Sequence, residues 1–481
     1  MDHLHPSGAT ARMNFSNRRF TLTDLKLTGA SFETEVQTTA TRPRVAIVGS
    51  GISGLSAAWA LQSQFDVTVF EAASRIGGHT NTVIFDAPEG PVPVDTGFIV
   101  YNQPNYPNLT ALLSLLEVAS NATRMNFSVS AGHRDVEYAS HGFAGLFADL
   151  RNLVRPRFYS MLADIMRFYK QAPQLAETED NQSIGEFLRE NGYGDPFIRD
   201  HLLPMAAAIW SCPVGTILEF PARSLAKFFV NHGLVELGTP FDWASINGGS
   251  ASYIPPLIEG FKDRIKTDTQ IISAVRRAGE VHLTMAGGDT DVFDQVILAC
   301  HAPQSAKIVK DLDAQERAIL SAFQTQSNRA ILHTDTRLMP KRKRAWAAWN
   351  YISETADNPA LAVTYWMNRL QRLNTQTDCF VTLNPMTRPS AEKIIAEFEY
   401  QHPVFDGAAT QAQSDIWNIQ GRGNIWYAGA WLGYGFHEDG LQAGLAVAEE
   451  MSDWRRPWPF DQAQERLMRP ESPTPKSSVA A

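Results

Sequence analysis

The stretch from residue 44 to residue 80 constrains this chain more than any other. It reads RVAIVGSGISGLSAAWALQSQFDVTVFEAASRIGGHT. An apolar run from Val45 to Val48 leads into Gly49-Ser50-Gly51-Ile52-Ser53-Gly54. A helical pattern follows, and a second apolar run, Val67 to Phe70, ends in Glu71. Short continuous apolar runs mark strands buried on both faces, so the predicted order is strand, glycine turn, helix, strand. Gly49 permits the tight turn, Gly51 lets the backbone approach a pyrophosphate, and Gly54 lets the helix pack close on the strand. The helix N-terminus around Ser53 offers free N–H groups and the positive end of its dipole to phosphate. Glu71 falls about 20 residues further on, where an acid binds ribose hydroxyls and disfavours a 2′-phosphate. Together these features predict a dinucleotide bound to an α/β, Rossmann-like domain.

At 481 residues the chain exceeds a single simple core, so two domains are expected. A net charge of −9 disfavours nucleic acid as a partner. The 11 Trp and 26 Phe suggest either an apolar cavity or a large aromatic core. Cys212, Cys300 and Cys379 are the only cysteines. They lack metal-ligand spacing and point to a reducing, cytoplasmic setting, with no metal site expected. No apolar run reaches the roughly 18 residues needed to span a membrane. Residues 1–42 read as a disordered extension. Arg18-Arg19 resembles a twin-arginine signal, but Asp24, Lys26 and Glu33 follow and no apolar segment does, and Met13 is a second candidate start. Residues 456–481 read as a Pro- and Ser-rich tail.

The nucleotide-binding domain is expected in three pieces, 43–106, 211–302 and 415–455. An inserted α+β substrate domain is expected over 107–210 and 303–414. Helices are predicted at 109–118, 146–169, 184–188, 250–261 and 440–451, and strands at 271–275, 281–285, 296–299, 345–352, 362–367 and 425–428.

Further motifs recur in order. Glu71 is followed by Arg75-Ile76-Gly77-Gly78-His79-Thr80, then come Asp95-Thr96-Gly97-Phe98, Gly248-Gly249-Ser250, Trp426-Tyr427-Ala428-Gly429-Ala430 and Glu438-Asp439-Gly440-Leu441. This set resembles the flavin-dependent amine oxidase superfamily of monoamine oxidases, protoporphyrinogen oxidases and carotenoid desaturases. The resemblance implies a GR2-type flavoprotein fold and FAD. It places Gly49, Gly51, Ser53, Gly54, Glu71, Arg75, Gly77, Gly78, Val275, Gly429, Asp439, Gly440 and Leu441 at the cofactor, Val275 through its backbone at adenine. The runs Ala347 to Tyr351, Thr364 to Asn368 and Gly433 to Leu441 are similar to a bacterial branch encoded beside cyclopropane-fatty-acid-synthase-like methyltransferases. That branch is implicated in methylated and furan fatty acids. It implies a fatty acyl or phospholipid substrate and a methyltransferase partner.

Amine oxidases of this kind place a Lys on the first strand after the insertion, but Ser327 to His333 contains none, which puts simple amine oxidation in doubt, with Arg329 a partial substitute. The last cysteine, Cys379, lies well upstream of the C-terminal motif, so FAD is expected to be non-covalent; a histidyl link through His79 or His437 is the alternative. Desaturation needs a hydride acceptor and a base. His437 is the expected base, or else a structural hydrogen-bonding residue, with Tyr434 beside it in the catalytic wall. Trp349, Tyr351, Tyr365, Trp366 and Trp431 are expected to line a substrate tunnel, although strand alternation turns about half of such residues away. Residues 151–170 form a basic amphipathic stretch suited to an anionic bilayer at the inner membrane face, or to packing on its own domain. The expected reaction is desaturation of an acyl chain. Amine or polyene oxidation, double-bond isomerisation and a non-catalytic flavin scaffold are the rivals.

Overall fold

The computed structural model describes residues 42–132, 135–178, 182–210, 214–235, 242–353 and 362–459. All but residue 42 of the extension expected over 1–42, most of the 456–481 tail and Cys212 lie outside them.

The apolar runs at the start pair as expected. Arg44–Val48 sits centrally in a five-stranded parallel sheet, between Asp66–Phe70 and Gln295–Leu298, with Ile265–Lys266 and Ile425–Tyr427 at the edges. Val45, Ala46 and Ile47 are fully buried, as a parallel strand covered on both faces must be. The helix Ile52–Leu61 packs along the C-terminal helix His437–Met451. An antiparallel three-stranded sheet, Ile271–Arg277, Glu280–Met285 and Thr290–Phe293, completes this domain.

The second domain centres on a seven-stranded sheet. Its order is Ile394–Val404, Gln324–His333, Phe380–Leu383, Ala362–Trp366, Trp349–Ser353, Phe127–Ala131 and Val136–Ala139. Helices Pro156–Glu177 and Ala222–Asn231 pack together beside it over an aromatic-rich core.

The cores divide the chain differently from the ranges expected. Pro107–Leu115 buries Leu109, Leu112 and Leu113 with the parallel sheet, and residues 217–235 bury Phe228 and Phe229 in the second core. Two helices also run differently from the expected ranges. Pro156 opens its helix rather than interrupting one, because a missing N–H costs nothing at the first turn. The segment expected as one helix over 250–261 splits into Ser250–Tyr253 and Ile254–Ile258, since Pro255-Pro256 cannot donate backward.

Candidate active site

The glycine turn is built as the spacing requires. Gly49 holds φ +110°, and a Cβ there would lie 2.6 Å from the Ala299 carbonyl oxygen. A Cβ on Gly54 would overlap the Gly49 carbonyl, so helix and strand touch through bare backbone. Gly51 is the opposite case. It faces the cavity, and a Cβ there would meet nothing within 4 Å. The helix it caps receives no side-chain cap, so the first N–H groups remain available to an anion. Glu71 also borders the cavity. Its Oε2 accepts from the Ser50 N–H at 3.0 Å and the Ser50 hydroxyl, and its Oε1 accepts from the Ala73 N–H at 2.9 Å. A carboxylate has about four lone-pair sites, so capacity for a ribose hydroxyl is left.

From this turn one continuous cavity of about 1520 Å³ runs into the second domain. Gly77, Gly78, Gly429, Trp431, Tyr434 and His437 line the first half, and Phe127, Leu162, Ile165, Tyr169, Met205 and Phe228 the second. The open face of Gly51, the uncapped helix end and Glu71 fit the pyrophosphate and ribose of FAD.

Other expected cofactor residues act at one remove. Arg75 donates to the Gly78 carbonyl at 2.7 Å and so holds the second glycine pair. Val275 pairs with His282 inside its sheet, and Thr269 to Ile272 border the cavity instead. Asp439, Gly440 and Leu441 do not line it. The C-terminal helix begins at His437, three residues earlier than expected, which turns these positions inward. Asp439 accepts from the Tyr434 and Phe436 N–H groups, Gly440 lies against Ile52 and Ser53, and Leu441 is in the core.

Of the expected tunnel residues, Trp349, Tyr365 and Trp431 line the cavity. Tyr351 is buried in the second core, and Trp366 packs on Trp346 and donates to Asp378 at 2.9 Å. Alternation explains the split, for Trp349 and Tyr365 are cross-strand partners while Trp366 is Tyr365's neighbour.

His437 is buried. It stacks on Phe98 with ring centroids 4.0 Å apart, and its Nε2 lies 2.8 Å from the Tyr253 hydroxyl, which also meets Thr80. Burial draws its pKa down to about 3, making it a weak base with one nitrogen already engaged. On the strand after the insertion, Arg329 is exposed and Asn328 points inward. Asn384 donates through Nδ2 to Asn328 Oδ1 at 2.6 Å, and Asn328 Nδ2 meets His402 Nδ1 at 3.0 Å. The amide thus donates to Nδ1, so His402 carries its proton on Nε2. His402, His301 and Tyr400 surround His79 on the cavity wall, with Tyr400 stacked 4.9 Å from His79. The alternation Phe398, Tyr400, His402 is the sequence signal for this face.

Fold and cradle together define a class: an α/β fold of flavoprotein type in which one cavity runs from the glycine turn to the seven-stranded sheet. A profile of the flavin containing amine oxidoreductase family matches residues 52–378, and the chain belongs to that family. Over 42 residues it is 55% identical to protoporphyrinogen oxidase 2, chloroplastic/mitochondrial, of Arabidopsis thaliana, a match covering 8% of each chain. Among solved structures it is similar to the CLA-producing fatty acid isomerase from P. acnes, with 17% identity, TM-score 0.59, and 84% of this chain and 97% of that one covered. It is likewise similar to a putrescine oxidase bound to putrescine, with 15% identity, TM-score 0.62, and 85% and 99% covered. These likenesses are of fold.

Proposed function

We propose that this flavoprotein desaturates a fatty acyl chain, such as a methylated unsaturated chain carried on phospholipid. The observation that carries the reading is the single cavity, whose dinucleotide end opens into a long space walled by Leu, Ile, Met, Phe and Tyr. Bound FAD would supply the hydride acceptor, and the proton lost from the neighbouring carbon would pass to a neutral imidazole of His79 or His301 on the cavity wall, both kept unprotonated by burial. The protein's residues orient the chain and exclude water: Trp349, Tyr365 and Phe228 set the width of the tunnel, and Trp431 is fixed by donation to the Cys300 carbonyl at 3.0 Å. His402 presents an Nε2–H donor to the reacting end. His437, neutral and paired with Tyr253, holds the wall formed with Phe98 in register. Non-covalent attachment is supported by the state of Cys300, a cavity thiol that burial pushes up to about 11, because the thiolate is the reactive form.

A bilayer source for the chain is supported by the surface beside the tunnel. Phe143, Leu150, Leu153, Val154 and Met166 are exposed, and Met166 also lines the cavity. The arginines of 151–170 contribute little free charge, for Arg151 and Arg155 pair with Asp135 and Asp149, Arg157 with Asp200, and Arg167 with Asp164. Lys343 and Arg344 lie on the turn packed against the 142–146 helix, and their side chains, like that of Lys341 beside them, form no salt bridge among the described residues. No helix among those residues is long and apolar enough to cross a membrane. Contact with the cytoplasmic face of a membrane, and work beside a methyltransferase, belong to the same reading.

Lipids from hosts with and without the gene, compared by mass, test it. Desaturation yields a chain lighter by two hydrogens. An unchanged mass with a moved double bond makes the protein an isomerase, and peroxide release from simple amines with no lipid change rejects the proposal.

A further inference from the structure

Two arginines stand on the cavity wall with no acid to neutralise them. Arg124 is exposed, Arg369 is half-buried, and both line the cavity. Sheet register brings them together. Trp349 pairs with Phe127 on one side and with Tyr365 on the other. Arg124 precedes Phe127 by three residues and Arg369 follows Tyr365 by four, so both leave the sheet at the same end. The Thr123 hydroxyl donates to the Arg369 carbonyl at 3.1 Å. Asn126 accepts from the Ala348 N–H at 2.6 Å through its side chain and from the Trp349 N–H at 3.0 Å through its main chain. The segment that carries Arg124 is thus pinned on both sides. Neither guanidinium has a hydrogen-bond or ion-pair partner among the described residues. Arg369 Nε is shut in, whereas its Nη1 and Nη2 remain accessible. Burial and the charge of Arg124 lower the Arg369 pKa, and burial and the charge of Arg369 lower that of His141 on the same wall. These positive groups therefore act on one another. Glu71, at the glycine turn, is the only carboxylate on the cavity wall among the described residues.

We propose that Arg124 and Arg369 seat an anionic head group of the substrate chain, a carboxylate or a phosphodiester. The planar forks of two guanidinium groups match the paired oxygens of either anion and hold them by charge-assisted hydrogen bonds. An anion between them also offsets the cost of setting two like charges close together in a partly buried wall. A neutral head brings no such compensation, and an ammonium head is repelled. The seat lies where the cavity wall nears the surface: His141 and Gly142 line the cavity, and Phe143 beside them is 71% exposed. A phosphodiester fits this rim with its chain threaded inward, and so does a fatty carboxylate. The inference rests on the acyl-chain reading and deepens it, because it names the end of the chain that the protein grips.

The test titrates the flavin-loaded protein at neutral pH, below micelle-forming concentrations, and follows the flavin spectrum and the thermal midpoint. The ligands are dodecanoate, dodecanoyl lysophosphatidylglycerol, the neutral monododecanoylglycerol and the cationic dodecylamine. Both anions bind about 10- to 100-fold more tightly than the neutral glyceride, the range of one charge-assisted hydrogen bond. Dodecylamine binds more weakly than the glyceride. Added salt narrows the gap, since Arg124 is exposed. Dodecanoate is the tighter anion if the natural head is a free acid, and the lysolipid is the tighter if it is a phospholipid. Arg124→Gln and Arg369→Gln each weaken the anions about tenfold and leave the glyceride unchanged, and Arg369→Lys recovers part of the loss. A loss shared by all four ligands marks a structural role and overturns the assignment for that residue. Equal binding of anions and glyceride by the unaltered protein, or Gln variants that discriminate as well as it does, overturns the seat and leaves the acyl-chain reading standing. Binding of no chain at all removes both.

Discussion

Gly444 lies against the main-chain carbonyl of Ser53, so closely that any side-chain carbon there would overlap it. The two helices that flank the dinucleotide turn therefore meet backbone to backbone. Gly444→Ala should cost about 1–3 kcal/mol, the usual penalty of overpacking, and loosen flavin binding with it. Urea unfolding and flavin content measure both; an unaltered unfolding midpoint would show that the helices slide apart freely.

Gly51 gives the contrasting case. Its φ of −69° suits any residue, and its open side faces the cavity. Gly51→Val should fold with stability changed by less than about 1 kcal/mol, yet purify largely colourless. A fully yellow variant would move the pyrophosphate elsewhere.

Acid should weaken the protein. His201 and His333 are drawn down to about 4, and His437 to about 3, each by burial. Unfolding restores their ordinary values near 6.5, so between pH 6.5 and 4 the unfolded chain binds more protons and stability falls as pH falls. His79, His301 and His402 shift the same way. Buried Glu438 and Asp95, raised to about 7 and about 6, work in the opposite sense. The histidines outnumber them six to two, so the flavin-free protein should lose at least about 1.4 kcal/mol per pH unit, the value for one net proton. Equal urea midpoints at pH 6.5 and 5 would contradict this.

Trp349 and Trp366 lie on paired strands yet should behave differently. Trp349→Leu should raise KM for a chain substrate about tenfold, through lost contact area. Trp366→Leu, which removes the bond to Asp378 away from the cavity, should lower stability and leave KM alone. Steady-state kinetics with matched thermal melts separate the two.

Asn328→Leu should keep flavin but slow its reduction by substrate about 10- to 100-fold, because His402 loses the donor that sets its proton. Stopped-flow reduction is the measurement, and an unimpaired rate would leave His402 as a wall residue only.

The geometry of the glycine turn is legible in the sequence because it is local. Gly49, Gly51, Gly54 and Glu71 act through backbone geometry that sequence spacing encodes directly. The substrate half is not, since it is made by register. Whether Tyr365 or Trp366 faces the tunnel, or Asn328 rather than Arg329, depends on which face of a mixed sheet is covered, and a run of aromatics on every position hides that alternation. The C-terminal motif reads three residues out of place, as Asp439 ties back to Tyr434 and Phe436 and starts the helix early.

Phe436 stacks on Phe228, with centroids 5.2 Å apart, one residue before the helix that flanks the dinucleotide turn. The same short segment thus serves as tunnel wall on one side and as the abutment of that helix on the other. A chain wedged against Phe228 leans on the cofactor's own support, so occupancy of the tunnel and grip on the flavin should rise and fall as one mechanical variable.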